Sequence, residues 1–529
     1  MAALTVGTAP LARRATEIYR VLAELEAPCY VVRDAAGLGL TTDERAAAGA
    51  DQVLAAVGPL PPDRLGAPAF RRDHGVSQAY MAGAMANGIA SVDLVVALAE
   101  AGFLASFGAA GVVARRLDEA LAAIRRRVAD RPFGCNLIHS PSEPAMERDV
   151  VDACLRHGVR CVEASAFLDL TPQVVRYRAS GLRRGPDGRP VPTHRLVAKV
   201  SRAEVAELFL RPAPAALLRP LVEQGAITAE QAQLAALVPM ADDITAEADS
   251  GGHTDRRPLP VLLPELIAAR DRLRADAGGP LVRVGAAGGL GTPRALAAAF
   301  TLGADYVVTG SVNQASVEAA QSAAGKALLA AAGVADCVQA PSADMFEIGA
   351  DVQVLGRGTM FASKARRLYE LYRRYDGIEQ IPADERDSLE KRVFRRPLDD
   401  IWRETVDYFT ARDPEQIARA QESPKRRMAL IFRWYLGLSS AWSTSGDPDR
   451  FADYQIWCGP AMGAFNTWVR DSPLEPLANR RVALIASELM RGAAFTSRAA
   501  ALTQAGVRLP APATSYSPRP DLDVKEPNR

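Results

Sequence analysis

The stretch from Leu281 to Gln314 constrains the fold more than any other part of the chain. Its sequence, LVRVGAAGGLGTPRALAAAFTLGADYVVTGSVNQ, holds two apolar segments, 281–287 and 304–310, and each ends in a glycine turn. Between them apolar residues recur near helical spacing, with Pro293 suited to the first turn and Gly303 to the end. The pattern predicts a strand, a helix and a second parallel strand, with neighbouring glycine turns at one edge of the sheet.

Adjacent glycine turns at the carboxyl ends of parallel strands favour an anion site. Glycine lets a ligand approach the backbone, and the free N–H groups there can hold a phosphate. The last two strands of a TIM barrel bind phosphorylated cofactors in this way. The predicted phosphate-binding residues are therefore Gly288, Gly289, Gly310 and Ser311. An ordinary βαβ unit with glycine caps is the alternative that the pattern leaves open.

Strand-like and helix-like segments alternate over residues 71–335 and predict an α/β fold, a TIM (β/α)8 barrel. Residues 201–240 are too long for a plain loop and predict a helical insert over the barrel mouth. Eight segments have strand character, the number that a closed barrel needs, and they are 77–83, 103–107, 133–138, 158–163, 195–200, 242–248, 281–287 and 304–310.

The rest of the chain divides into three parts. Residues 1–70 form an N-terminal segment that says little about function. Residues 336–507 are predicted to be a C-terminal all-helical module, and residues 508–529 are proline-rich and predicted to be disordered. All five tryptophans lie in the helical module, where they form either its core or an apolar wall for an acyl chain.

Composition narrows the class of protein. The formal net charge of +1 argues against a dedicated nucleic-acid or membrane-surface protein. No apolar run reaches the roughly 18 residues that span a bilayer, and the N-terminus lacks a secretory pattern, so we expect a cytoplasmic protein. The six cysteines lack CxxC spacing and are expected to be buried thiols, and no metal site is predicted.

Residues at the predicted strand ends are candidates for the chemistry, because ligands of a TIM barrel bind there. Gly83, Ala84 and Met85 follow the first strand and leave room for a flat ring. Asn136 ends the third strand, where its carboxamide suits the polar edge or the ribityl chain of a flavin. The alternative for Asn136 is a residue that only caps the loop.

Two cationic side chains stand out among these strand ends. Lys199 is one of only six lysines among 63 lysine and arginine residues, so its position indicates a site that requires a compact point charge. His253 follows two glycines after the sixth strand, with Asp249 and Asp255 available to orient its ring or raise its pKa. Both are candidate catalytic residues; chance composition and a passive loop histidine are the alternatives.

The motifs that contain these residues resemble those of a known enzyme superfamily. FGCNLI, SGGH and the AAGG turn resemble the superfamily of nitronate monooxygenases and FMN-dependent enoyl-acyl carrier protein reductases. Over residues 65–505 the chain is more specifically similar to the PfaD-type trans-acting enoyl reductases, with one departure at CVQAPS (337–342). The segments that carry this similarity are MAGAMANGIAS (81–91), FGCNLIHSPSEP (133–144), AKVSRAEVA (198–206), EADSGGHTDRRP (247–258), VGAAGGLGTP (284–293), TGSVNQ (309–314), FRWYLGLSS (432–440) and DYQIWCGPAMGAFN (453–466).

The resemblance implies a cofactor pair and a reaction. It implies that FMN and NADPH reduce the α,β-double bond of an enoyl group on an acyl carrier protein, within polyketide or polyunsaturated fatty acid biosynthesis. The glycine turns would hold the FMN phosphate, the ring would lie over residues 83–85, and Asn136 and Lys199 would flank its polar edge.

The same resemblance implies a macromolecular partner. Acyl carrier protein domains are expected to dock on basic clusters at 366–374 and 425–427, and a homodimer is one assembly left open. Two other functions stay open, a nitronate monooxygenase-like flavin oxidase and a non-catalytic component that binds carrier proteins.

Overall fold

The N-terminal part of the chain forms a small α/β unit beside the barrel. The computed structural model describes residues 10–141, 144–277 and 280–518. Within these ranges no helix combines the length and apolar character that crossing a bilayer requires. Three antiparallel strands of the N-terminal unit pair in the order β2-β1-β3. Its elements are α1 (Ala15–Ala23), β1 (Cys29–Asp34), β2 (Gly37–Thr41), α2 (Glu44–Ala48), β3 (Gln52–Val57) and α3 (Pro68–His74).

Eight parallel strands close a barrel, which confirms the predicted fold class. The strand order around it is β10-β11-β12-β13-β4-β5-β6-β7. All eight predicted strands are present, and β4, β7 and β13 each begin three residues later than expected. Its elements are β4 (Tyr80–Ala82), α4 (Val92–Glu100), β5 (Leu104–Phe107), α5 (Ala114–Val128), β6 (Gly134–Ile138), α6 (Pro144–Arg156), β7 (Cys161–Ser165), α7 (Pro172–Ser180), β8 (Leu182–Arg184), β9 (Pro190–Pro192), β10 (Arg195–Val200), α8 (Ala203–Leu210), α9 (Ala215–Glu223), α10 (Ala229–Ala235), β11 (Asp243–Glu247), α11 (Leu259–Ala277), β12 (Arg283–Ala287), α12 (Pro293–Thr301) and β13 (Val307–Thr309).

A buried ionic network lies near the amino end of the barrel. His74 Nε2 lies 2.8 Å from Asp243 Oδ2, and Arg283 Nε lies 2.6 Å from Asp243 Oδ1. A second Arg283 nitrogen donates to Asp73 at 2.7 Å. Burial alone would raise the pKa of Asp243, but His74 and Arg283 hold it at about 2. Because the buried carboxylate is fully paired, it can stay charged without water.

The helical insert lies at the amino end and not over the mouth, so that prediction was wrong. Helix α8 is the ordinary barrel helix after β10, while α9 and α10 pack against α7. The N–H of Met240 donates to the carbonyl of Arg211 at 2.9 Å, so residues 211–240 leave and rejoin the barrel at one point. The reason is topological, because a chain that has completed a barrel helix is already back at the amino ends of the strands.

A second and longer insertion leaves the barrel at its carboxyl end. The N–H of Val317 donates to the carbonyl of Arg480 at 2.9 Å, so the chain departs after β13 and returns after a long excursion. This excursion, residues 317–480, is called the upper insertion below. Its elements, with the short helix before them and the long helix after them, are α13 (Ser311–Gln314), α14 (Ala323–Ala330), β14 (Cys337–Pro341), β15 (Asp351–Leu355), α15 (Phe361–Arg374), α16 (Ala383–Leu389), α17 (Leu398–Arg412), α18 (Pro414–Glu422), α19 (Pro424–Ser445), α20 (Ala461–Val469) and α21 (Val482–Gln504).

Helix α21 belongs to the barrel and not to a separate C-terminal module. It packs against α12 and α4, the helices that follow the seventh and first barrel strands. It therefore takes the place of the eighth barrel helix, and the predicted 336–507 boundary has to be redrawn. The helical character of this region is confirmed, with one addition, the antiparallel hairpin of β14 and β15.

The predicted disordered tail is ordered over its first half. Ala513 is buried, and the Tyr516 hydroxyl bonds to the Glu488 carboxylate of α21 at 3.0 Å. Trp468 Nε1 also donates to the Tyr516 carbonyl at 3.1 Å. The proline-rich sequence around Tyr516 has few side chains that can pack. Burial of the Tyr516 ring stabilises the segment against the barrel. The rest of the predicted tail, 519–529, lies outside the described residues.

Candidate active site at the barrel mouth

A cavity of about 1170 Å3 opens at the carboxyl ends of the barrel strands, between the barrel and the upper insertion. Small-molecule sites usually measure about 300–1000 Å3, so this one has room for a cofactor and a second ligand. All the residues that the sequence analysis selected line it, and they are Gly83, Ala84, Met85, Asn136, Lys199, His253, Gly288, Gly289, Gly310 and Ser311.

The two glycine turns form a cradle with open space above it. Gly288 and Gly289 have positive φ angles of 88° and 71°, a region that favours glycine. A Cβ at Gly288 would lie 2.6 Å from the backbone of Ala248, so this position admits no side chain. A Cβ at Gly289 or Gly310 would meet no atom within 4 Å and would project into open space. The backbone there fits the approach of a phosphate-bearing group.

Lys199 lies between two buried carboxylates at the strand ends. Its Nζ is 3.0 Å from Glu247 Oε1 and 3.4 Å from Glu163 Oε1. Burial lowers the pKa of Lys199, but the two carboxylates outweigh it and hold the pKa above its ordinary value. Burial raises the pKa of Glu247, and Lys199 opposes that rise. Lys199 is therefore a fixed ammonium at neutral pH, suited to holding a partial negative charge and unsuited to releasing a proton.

Glu163 also fixes the first strand turn. Its Oε2 accepts a hydrogen bond from the N–H of Ala84 at 2.9 Å. Asn136 Nδ2 donates to the Glu163 carbonyl at 3.0 Å and to the Ser165 hydroxyl at 2.8 Å. Glu163 was not a predicted site residue, although an acid inside the apolar strand CVEAS was a signal that could have found it.

His253 is paired with a residue of the upper insertion. Its Nε2 lies 3.0 Å from Asp344 Oδ1 and 2.9 Å from the Ser342 hydroxyl. Burial lowers the pKa of His253, but Asp344 and then Glu247 outweigh it, so the pKa lies above its ordinary value. Burial raises the pKa of Asp344, yet His253 and Ser342 hold it well below its usual range. The pair favours a protonated, oriented imidazole.

The predicted partners of His253 serve other contacts. Asp249 accepts a hydrogen bond from Gln353 Nε2 at 3.1 Å, and Asp255 forms an ion pair with Arg202. The expectation that either one orients the ring was wrong. The true partner, Asp344, lies 91 residues along the chain from His253, where no local pattern connects the two.

The upper insertion holds the histidine loop and one glycine turn in place. The N–H of Gln353 in β15 donates to the Gly252 carbonyl at 3.4 Å, and the N–H of Gly459 donates to the Ser311 hydroxyl at 3.0 Å. A Cβ at Gly251 would lie 2.9 Å from the backbone N of Cys458, so the loop packs tightly on this segment. The site is thus built jointly by the barrel and the upper insertion.

Two of the five tryptophans line the cavity, and three do not. Trp434 and Trp457 lie in its wall, on the part formed by the upper insertion. Trp402 instead packs beneath the guanidinium of Arg427, 4.9 Å from the ring centroid. The acyl-wall interpretation therefore applies to two tryptophans at most, and the others belong to the packing of the insertion.

The predicted docking clusters do not reach the cavity. None of the basic residues in 366–374 or 425–427 is part of its wall. Arg366 donates to the Gln339 carbonyl at 2.7 Å, and Arg367 pairs with Glu385 at 2.8 Å. Docking of a carrier protein on these clusters stays a prediction.

Two family models match the chain in adjacent regions. The nitronate monooxygenase family matches residues 74–342, which covers the eight barrel strands, β14 and the His253 partner Ser342. The inserted helical domain of [acyl-carrier-protein] S-malonyltransferase matches residues 375–454, which lie within the upper insertion.

A solved structure and two curated relatives are similar over most of the chain. The enoyl reductase domain of MlnA, from the macrolactin biosynthesis cluster of Bacillus amyloliquefaciens, is 36% identical with a TM-score of 0.80, covering 84% of this chain and 100% of that domain. One component of the polyunsaturated fatty acid synthase of Thraustochytrium sp. is 46% identical over 91% of this chain and 32% of its own length. Polyketide biosynthesis protein PksE of Bacillus subtilis is 45% identical over 81% of this chain and 56% of its own length. The chain thus spans about a third to a half of these curated relatives.

Proposed function

The chain belongs to the nitronate monooxygenase family, and from this premise we propose that it is an enoyl reductase that uses FMN and NADPH. Its substrates are α,β-unsaturated thioesters on acyl carrier proteins, in polyketide or polyunsaturated fatty acid biosynthesis, and its place of action is the cytoplasm. The observation that carries the proposal is the shared cavity, in which barrel residues suited to a flavin face a wall supplied by the upper insertion. The similarity to the MlnA enoyl reductase domain extends over both parts and supports it.

The barrel residues fit the parts of a flavin mononucleotide. Gly289 and Gly310 leave open backbone for its phosphate, and the turn at 83–85 offers small residues for its ring. The fixed ammonium of Lys199 suits the polar edge, where it would hold negative charge. The Asn136 amide is anchored through Nδ2, which leaves Oδ1 for a ligand N–H. When bound, the reduced flavin supplies a hydride to Cβ of the enoyl thioester.

His253 supplies the proton that the reduction requires at Cα. Its Nε2 is held by Asp344 and Ser342, so the Nδ1 proton of the imidazolium is the one available to the substrate. Asp344 favours the charged form and fixes the ring orientation, as a carboxylate behind a catalytic histidine does. Lys199 does not compete in this step, because its pKa lies above its ordinary value.

A nitronate monooxygenase-like oxidase is the second candidate, because that family matches residues 74–342. A small nitronate would not need the wall that the upper insertion adds to the cavity. A non-catalytic protein that binds carrier proteins is the third, and the paired His253 and Asp344 in the cavity argue against it.

One experiment separates the three. The purified protein is mixed with FMN, NADPH and a 2-enoyl thioester, and the product is analysed by mass. The proposal predicts the saturated thioester, heavier by two hydrogen atoms. Oxygen uptake with a nitronate and no thioester reduction would identify the oxidase. Purified protein that is colourless, reduces no thioester and takes up no oxygen with the nitronate would identify the binding component.

A further inference from the structure

The cavity opens to solvent along a crevice between α5 of the barrel and two helices of the upper insertion. Its rim includes Val113 and Arg116 on the barrel side. On the opposite side it includes Tyr408 of α17 and Ala441 of α19. Val113 is 46% exposed and Tyr408 is 51% exposed, large values for apolar and aromatic side chains. This crevice, called the entrance below, connects continuously with the wall that contains His253 and Lys199.

The charged side chains at the entrance leave a net positive charge. Its two exposed carboxylates are already paired, since Asp93 binds Arg127 at 2.5 Å and Glu404 binds Arg396 at 2.5 Å. Arg116 is exposed and forms no hydrogen bond or ion pair with any residue in the described part of the chain. Glu119, three residues further along α5, pairs with Arg115 at 3.8 Å and not with Arg116. The entrance therefore presents one uncompensated guanidinium beside a deep, largely apolar cavity.

We infer that Arg116 binds the phosphate of the phosphopantetheine arm by which a carrier protein presents its thioester, an inference that rests on the proposed function. The arm has a phosphate at its anchored end and the thioester at its other end. A guanidinium at the entrance would hold the first end while the thioester reaches the strand ends. Arginine suits this task because its planar fork of N–H donors matches phosphate oxygens.

The test compares phosphopantetheine with pantetheine, which differ only in the phosphate. Calorimetric titration of the flavin-loaded protein should show phosphopantetheine binding about five- to tenfold more tightly, an effect in the range of one charge-assisted hydrogen bond at an exposed site. Arg116→Gln should remove this preference, and Arg116→Lys should keep part of it. The preference should also shrink at high salt, because the entrance is exposed to solvent.

Arg115→Gln is the matched control. Arg115 is the sequence neighbour of Arg116 on α5 and is also exposed, but it lies 3.8 Å from Glu119 and does not line the cavity. This variant should keep the full preference. A wild-type protein that binds both compounds equally, or an Arg116→Gln variant that still prefers the phosphate, overturns the inference. Binding is measured without turnover, so a phosphate preference in a protein that reduces no enoyl thioester would refute the proposed function and leave the Arg116 site standing.

Discussion

The barrel has an insertion at each end, and only the one at the carboxyl end contributes residues to the cavity. At the amino end, residues 211–240 pack against α7 and the β8–β9 hairpin packs against α10. Arg178 of α7, whose side chain is 4% exposed, donates to the Pro239 carbonyl at 3.0 Å and to Asp242 at 2.7 Å. None of these residues lines the cavity. At the carboxyl end the upper insertion supplies Asp344 to His253 and closes one wall of the site. An insertion therefore contributes to the site when it leaves the barrel after a strand and not after a helix, because ligands bind at the carboxyl ends of the strands.

The largest expected effect is at the glycine turns beneath the upper insertion. Gly310→Val would place a side chain in the open space above the turn, so we expect protein without flavin and without activity. Visible absorbance of the purified protein measures the occupancy. Gly58→Val is the control, since its Cβ also meets no atom within 4 Å but lies outside the cavity. Full flavin occupancy in Gly310→Val would remove this turn from the cofactor site.

The next effect is at the histidine that the upper insertion orients. His253→Ala should retain flavin and lower the turnover of an enoyl thioester by about 10²–10⁴-fold, the usual contribution of a positioned general acid. His194→Ala is the counterpart at the amino end, where the ring bonds to the Tyr177 carbonyl. That variant should turn over normally. Unchanged turnover in His253→Ala would mean that the proton comes from water or from the flavin.

The pH dependence tests whether Asp344 sets the protonation of His253. A raised folded-state pKa keeps the imidazolium below that pKa, so activity should fall as the pH rises through it. Asp344→Asn removes the main interaction that raises the pKa of His253, and the fall should move to lower pH. The pH profile of kcat/KM for the two proteins measures the shift. Identical falling limbs would show that another group titrates.

The smallest effects on turnover are expected from substitutions at the amino end. These substitutions should lower the free energy of unfolding instead. Arg178→Ala would leave the buried Asp242 with fewer partners, so we expect a loss of about 3–5 kcal/mol in the free energy of unfolding. Turnover per folded molecule should not change. Arg184→Ala removes an exposed pair with Glu230 and should cost roughly 0–1 kcal/mol. Chemical denaturation and flavin-normalised rates measure the two quantities, and a rate defect in either variant would contradict the division between the two ends.

Local patterns in the sequence were sufficient to predict the barrel and the positions of its strand-end residues. Strand and helix periodicity predicted all eight barrel strands, and the strand-end rule led to Asn136, Lys199 and His253. The periodicity pattern and the strand-end rule both use only residues that are close together in the sequence. Asp344 was missed because its relation to His253 exists only after the upper insertion has folded onto the barrel. The role of α21 was missed for the same reason, since nothing in its own sequence distinguishes a barrel helix from a module helix.

The place of α21 has a consequence for how the chain acquires its shape during synthesis. The ribosome releases β13 well before α21, so the barrel strands emerge while their outer ring still lacks one member. The apolar faces of α12 and α4 that later bury against α21 stay open during that interval. Helix α21 can bury those faces only after the whole upper insertion has been synthesised. Its contacts with α12 and α4 therefore have a large sequence separation, which slows folding. A nascent chain halted inside the upper insertion should therefore expose the apolar faces of α12 and α4. We expect a chaperone that binds apolar surfaces to bind there.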